Sequence, residues 1–107
     1  MAAATVTQER WGYSVSGDTD ATAIAGGGII KVKAIAFSGN ATNATGVITS
    51  GAGGRTTSTL KFKSYDAGGG SLNVGGTNMF FGDKGVEMEN VIVTLSNASD
   101  HMYIFLV

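Results

Sequence analysis

The chain contains no cysteine, no proline and few charged residues, and each scarcity excludes something. Without cysteine there are no disulfides, no thiolate metal sites and no cysteine nucleophile, so the fold must be stabilised by packing. Without proline, no edge strand is protected by that residue. The absence of cysteine also gives no indication of whether the chain is found in an oxidising or a reducing compartment.

Charged residues make up only 14% of the 107 residues, and the formal net charge is −1. A chain this nearly neutral has no long-range field to attract phosphate backbones or anionic lipid, so nucleic acid and membrane are not expected partners. No apolar run approaches the roughly 18 residues that cross a bilayer. Residues 1–10 have neither a basic start nor an apolar stretch, which predicts a soluble chain without a signal peptide.

The 17 glycines fall in clusters that separate stretches rich in Val, Ile, Thr, Phe and Tyr, as turns separate strands. No segment has apolar residues at helical spacing over ten residues. The sequence therefore predicts an all-β fold, an antiparallel β-sandwich or jelly-roll-like domain with Gly-rich turns, spanning residues 1–107 as one domain. The predicted strands are Thr5–Val15, Ile29–Phe37, Gly46–Thr49, Thr57–Tyr65, Leu72–Val74, Asn78–Phe81, Val91–Leu95 and Met102–Leu106.

Two of these strands carry apolar residues on both faces. If Ile29–Phe37 is extended throughout, Ile30 and Val32 lie on one face while Ile29, Ile35 and Phe37 lie on the other. In the last strand Met102, Ile104 and Leu106 alternate with Tyr103, Phe105 and Val107. Because a lone sandwich buries one face of each sheet, something must cover the second. A long loop, a subunit interface or a ligand groove could do so, and the loop would come from Ser38–Gly54, a low-complexity stretch that reads as a long hairpin or loop standing off the body. The candidate interface residues are Ile29, Ile35, Phe37, Tyr103, Phe105 and Val107.

The sequence shows no catalytic or metal-binding constellation, and we expect no cofactor. The single histidine, His101, has no partner set of a known catalytic motif and reads as a turn residue at a strand start. Asp18 and Asp20 lack the further oxygen ligands that calcium needs. Glu87 and Glu89 read as surface charge.

The aromatic residues of the first predicted strand admit two interpretations. Trp11 and Tyr13 would share a face of that strand, where they could fill the core or form a sugar-stacking platform. We expect the core, with Trp11 largely buried.

The segment from Gly82 to Ile104 resembles a pattern met in small virion proteins of tailed bacteriophages. It has a glycine turn, a short apolar strand reading Val-x-Val-x-Leu-Ser over Val91–Ser96, a small-residue turn and a closing apolar strand. The resemblance covers about 25 residues, and the remainder is similar only in its glycine-rich, cysteine-free composition. It implies a head decoration, or cement, protein that is made in the host cytoplasm and placed on the virion surface.

The expected function is therefore a non-enzymatic structural virion protein that binds the major capsid protein on the outer capsid surface. Unprotected sheet edges and the doubly apolar strands favour a symmetric homo-oligomer. A trimer is expected first, because threefold symmetry would match the local axes of the icosahedral shell that the resemblance implies, and a dimer second. The alternative is a carbohydrate-binding or adhesin module that uses Trp11, Tyr13 and Tyr65.

Overall fold

The computed structural model describes residues 4–39, 44–51, 58–63 and 76–107. Within these ranges the chain is almost entirely extended, with one 3-10 turn at Ala25–Gly27. The strands are β1 (Thr5–Gln8), β2 (Gly12–Ser16), β3 (Thr22–Ala23), β4 (Ile29–Ser38), β5 (Thr45–Ser50), β6 (Ser58–Lys63), β7 (Gly76–Phe80), β8 (Val86–Glu89), β9 (Ile92–Leu95) and β10 (His101–Leu106). The predicted all-β class is confirmed.

The strands form two antiparallel sheets packed face to face. The first sheet has the order β1-β2-β10-β4-β7, with β8 also paired to β4, and the second has the order β3-β9-β5-β6. The pairs are nested, because β2 pairs with β10, β3 with β9, β4 with β7 and β8, and β5 with β6. A long hairpin folded over on itself gives this order, which is that of a jelly roll.

The core lies between the two sheets. Alternation along β10 directs Met102 and Ile104 inward, and both are completely buried. From the second sheet, Val93, Leu95, Ile48 and Phe62 face them. The sheets approach closely at Gly46, where a Cβ would stand 2.6 Å from the Met102 side chain and 2.7 Å from the Phe37 ring. Side chains alternate in the second sheet as well, since Phe62 and Val93 are buried while Lys61 is exposed.

Strand β4 contains a β-bulge that alters the predicted faces. Phe105 lies opposite Ala34, whereas the next residue of β10 lies opposite Val32, so Lys33 is the additional residue. A bulge residue reverses the alternation beyond it. Ile35 and Phe37 consequently share the core face with Val32, and each is only 1% exposed. Their predicted place on an outer, interface-forming face is wrong, since regular alternation was assumed across the bulge.

The predicted first strand is also divided. Residues 9–12 form a tight turn in which Glu9 and Gly12 exchange backbone hydrogen bonds of 2.7 and 3.3 Å. Thr5–Val15 is therefore the β1–β2 hairpin rather than one strand.

The glycine turn of residues 82–85 interrupts the other edge of the first sheet. The Gly85 N–H donates to the Gly82 carbonyl, and β7 and β8 flank the turn along β4. Strand β8 was not predicted as a strand, and the predicted strand Leu72–Val74 lies outside the described residues.

The stretch Ser38–Gly54 was predicted to be a long hairpin or loop with a strand at Gly46–Thr49, and the structure confirms that strand. Thr45–Ser50 forms β5, which lies between β9 and β6 in the second sheet. Ile48 of this strand is buried in the core. The expectation that this stretch stands off the body is wrong for β5, which covers the inner face of β10 rather than its outer face.

Candidate binding surface on the outer face of the first sheet

An aromatic ridge runs along the centre of the first sheet, on the face turned away from the core. Because Met102 and Ile104 point inward, the alternating residues His101, Tyr103 and Phe105 point outward, and all three are half-buried. The His101 and Tyr103 rings are nearly parallel, with an interplanar angle of 13° and centroids 6.0 Å apart. These three residues, together with Trp11, are called the aromatic ridge below.

Trp11 reaches the ridge from the β1–β2 turn. Its ring centroid lies 4.8 Å from that of Phe105 and 6.1 Å from that of Tyr103, with interplanar angles of 33° and 57°. The Leu106 N–H donates a 2.8 Å hydrogen bond to the Trp11 carbonyl, which attaches the turn to β10. Trp11 remains 38% exposed, so its predicted burial in the core is wrong.

Gly12 makes this placement of Trp11 possible. Its φ is +155°, and a Cβ there would stand 1.8 Å from the Ile104 carbonyl oxygen, where no side chain fits. Trp11 and Tyr13 consequently separate, since Tyr13 packs against the core while Trp11 lies on the outer face. The predicted shared face of the two rings is wrong because the strand turns between them.

Small residues border the ridge on both sides. Cross-strand register places Ser16, Ser14 and Gly12 of β2, and Ser38, Ala36 and Ala34 of β4, beside His101, Tyr103 and Phe105. Beyond β4, Phe80 lies opposite Ala34 and is 64% exposed. Since neighbouring strands are about 4.8 Å apart, Phe105 and Phe80 stand on strands roughly 10 Å apart with Ala34 between them. On the outer face of the first sheet, the aromatic ridge therefore stands between two shallow grooves that are lined by small residues of β2 and β4.

Charged residues lie at the margins of this ridge rather than at its centre, and one of them, the half-buried Lys33, is the bulge residue next to Ala34. On the outer face they belong to the part of the sheet beyond the bulge, where Lys31 lies opposite Glu87 and Ile29 opposite Glu89. Glu9 and Arg10 lie in the β1–β2 turn and are exposed. A centre depleted of charge and enriched in Trp, Tyr and Phe, with charge at the rim, is the composition of a protein interface.

The structure separates the six predicted interface residues into three groups. Tyr103 and Phe105 lie on the ridge, whereas Ile35 and Phe37 lie in the core. Ile29 and Val107 are strongly exposed, but they belong to the charged part of the sheet beyond the bulge, where the Val107 N–H donates to the Lys31 carbonyl. Trp11 and Phe80 extend the surface and were not among the predicted residues. The charged pair Glu9-Arg10 followed by Trp11-Gly12 was the available signal for a turn that carries the tryptophan.

A hydrogen-bond network around a buried carboxylate stabilises the corner between β9 and β10. Asp100 is completely buried and accepts hydrogen bonds of 2.9 Å from the Ser96 hydroxyl and 3.0 Å from the Asn97 N–H. The Ser96 hydroxyl oxygen in turn accepts from the Thr45 N–H. This network fixes the β9–β10 corner against β5. Among the described residues, no group of three or more His, Asp or Glu side chains is placed to hold a metal ion.

A cleft of about 160 Å³ opens between β8 and the β5–β6 hairpin. It is lined by Ile48, Ser50, Ser58, Leu60, Val86, Glu87 and Met88. This volume is below the roughly 300–1,000 Å³ of most small-molecule sites. The aromatic ridge is therefore the stronger candidate site.

Within the described ranges, the structure contains no helix long and apolar enough to cross a membrane.

Comparison with known proteins adds no relative. No protein-family model, no curated protein and no solved structure matches this chain.

Proposed function

We propose that this protein is a non-enzymatic structural protein that acts by adhesion through the outer face of its first sheet. The observation that carries the proposal is the half-exposed aromatic ridge, which the small residues of β2 and β4 border on both sides. Large aromatic side chains bury about 150–250 Å² each, and they dominate the energetics of protein interfaces. Trp and Tyr are among the residues that most often carry the binding energy at such interfaces.

The proposed partner is the outer surface of a virus capsid, with this chain as a decoration protein. The resemblance of residues 82–104 to small virion proteins supports this identity. Many viral capsid proteins also adopt the jelly-roll fold. Fold alone does not give function, because lectins use the same architecture. The major capsid protein would supply the cover for Tyr103 and Phe105, and repeated copies would bind at equivalent positions on the shell.

Purification of the particle from the native source tests this proposal directly. We expect the chain to be a stoichiometric component of the virion that is released by mild denaturant and rebinds to stripped shells. Phe105→Asp should abolish rebinding, because it places a charge in the centre of the ridge. Thr94→Asp, on the outer face of the second sheet, is the matched control and should rebind normally. Absence of the chain from purified particles, or normal rebinding of Phe105→Asp, would refute the capsid proposal.

Carbohydrate binding is the second candidate, and the exposure of Trp11 favours it. Ser14, Ser16 and Asn78 lie on the same face and offer polar groups beside the rings. The ring set differs from the one predicted, since Tyr13 packs against the core and Tyr65 lies outside the described residues. The rings of Trp11, Phe105 and Tyr103 are also tilted, so they do not form one flat platform.

A glycan array followed by calorimetry separates the two candidates. A saccharide that binds the wild type and is lost in Trp11→Ala would support the sugar site. An array with no binder, together with rebinding to shells, would leave adhesion to protein as the function.

A further inference from the structure

In the described part of the chain, the edge strand β1 differs in composition from the edges β3, β6 and β8. On the second sheet, β6 carries Lys61 and Lys63, and β3 is only two residues long. On the first sheet, β8 carries Glu87 and Glu89. Lysine and other charges, and very short strands, are the devices by which edges avoid pairing with other chains. Strand β1 reads Thr-Val-Thr-Gln, without charge and without proline.

We propose that β1 is a self-association edge, which pairs antiparallel with β1 of a second copy across a twofold axis. Backbone groups of alternate residues in β1 point away from β2, and none of the described strands pairs with that side of β1. Thr and Val are residues that favour strands. The inference goes beyond the proposed function, because it identifies how two copies join and does not depend on what the ridge binds.

The register of such a pair follows from the faces of β1. Opposed residues in an antiparallel pair point to the same side, and Val6 lies opposite the buried Val15, on the core side. Val6 opposite Val6 of the partner copy therefore keeps both on the core side, and Thr5 then lies opposite Thr7 of the partner copy on the outer side. Threonine pairs of this kind are among the favourable cross-strand pairs.

The other uncharged edge strand, β7, is less suited than β1 to pair with β1 of a second copy. Four antiparallel pairings separate β1 from β7 in the first sheet, so the two edge strands run in the same direction. A ring of copies about an axis parallel to the strands would join them as a parallel pair, which is slightly less stable per residue. Strand β7 also contains Gly76 and Asn78, residue types that are depleted in strands. The edge geometry thus points to a dimer rather than to the trimer favoured by the sequence.

Twofold pairing has a consequence for the proposed adhesion. An axis perpendicular to the sheet keeps the outer faces of both copies on the same side. Two aromatic ridges would then face one surface, and a repeated surface such as a capsid could engage both at once. Bivalent engagement raises the overall affinity without any new contact in either site.

Sedimentation equilibrium from about 10 µM to about 1 mM tests the pairing, since a short edge contact belongs to the weak class of interfaces. We expect a monomer–dimer equilibrium. Thr7→Lys should raise the dissociation constant about tenfold or more, because a lysine then lies at the paired edge. Thr7→Val, which retains a strand-favouring residue, should preserve the dimer. Thermal unfolding at low concentration should be unchanged in both variants.

Two further variants distinguish the edge from the outer face. Ser38→Lys changes an exposed residue beside the ridge and should leave the dimer intact. If Phe105→Asp abolished association while Thr7→Lys did not, copies would join through the ridge and the proposal would be wrong. A wild-type chain that stays monomeric over the whole range, or forms a trimer, would also overturn it. Shell rebinding by a monomeric Thr7→Lys variant tests the adhesion proposal separately.

Discussion

Replacing Gly46 by alanine tests the packing of the two sheets, because two effects of opposite sign compete there. Replacing a glycine by alanine at a position whose backbone accepts it stabilises a protein by about 0.4–1 kcal/mol, because it lowers the conformational entropy of the unfolded chain. The new Cβ would stand 2.7 and 2.8 Å from two carbons of the Phe37 ring and 2.6 Å from Met102 Cε. Ordinary carbon contacts are about 3.5–4.0 Å, so the approach is roughly 1 Å too close.

The buried phenylalanine ring decides the sign. The Met102 end group can rotate away, but the Phe37 ring is held in the core and can move only if its neighbours move. Overpacking of this kind costs about 1–3 kcal/mol. We expect Gly46→Ala to be destabilised by about 1–2 kcal/mol net, which lowers the melting temperature by about 4–9 °C for a chain of this length.

Urea and thermal unfolding provide the measurement. Gly28→Ala is the control, since its backbone is extended and its Cβ would meet only the Ala25 carbonyl oxygen, at 3.3 Å. The double variant Gly46→Ala with Phe37→Leu should lose less stability than the sum of the single changes, because the two sites share one contact. A Gly46→Ala variant as stable as the wild type would refute the close approach of the sheets at this point.

Asp100→Ala should cost about 1–3 kcal/mol in urea unfolding, because the Ser96 hydroxyl and the Asn97 N–H lose their buried acceptor, and an unchanged midpoint would show that the corner does not depend on it. Ile35→Asp should cost more than about 3 kcal/mol while Ile29→Asp changes stability little; equal effects would contradict the bulge in β4. Trp11 fluorescence should be quenched by iodide, and protection from quenching would place the ring in the core after all.

The elements that sequence reasoning predicted well are those with a local signal. In β6, Leu60 and Phe62 alternate with Lys61, and the structure places the lysine outside and Phe62 in the core. Glycine clusters and strand-favouring residues gave the all-β class in the same way. These signals depend on neighbouring residues along the chain, so no knowledge of the partner strand was needed.

The bulge at Lys33 could not be read from its own segment. Ile29–Ser38 mixes strand-favouring Ile, Val and Phe with Lys, Ala and Ser, and it contains no glycine that would mark a bulge. The irregularity occurs where residues 81–85, including the turn, lie between the two stretches paired with β4. The bulge is visible only in the pairing of β4 with strands that are distant along the chain, and the faces assigned to Ile35 and Phe37 were wrong because that pairing was not known.

One face of β10 packs in the core, and the other face carries the aromatic ridge. Residues of the ridge can therefore be changed without disturbing the core. Met102 and Ile104 hold the sheets together, whereas Tyr103 and Phe105 contribute no completely buried side chain to the core. A charge at Phe105 should therefore impair adhesion while the jelly roll remains folded, because the side chain can stay in water. A charge at Ile104 would be enclosed between the sheets without a partner, and the chain would unfold. Loss of adhesion in a folded Phe105→Asp variant can consequently be assigned to the surface rather than to the fold.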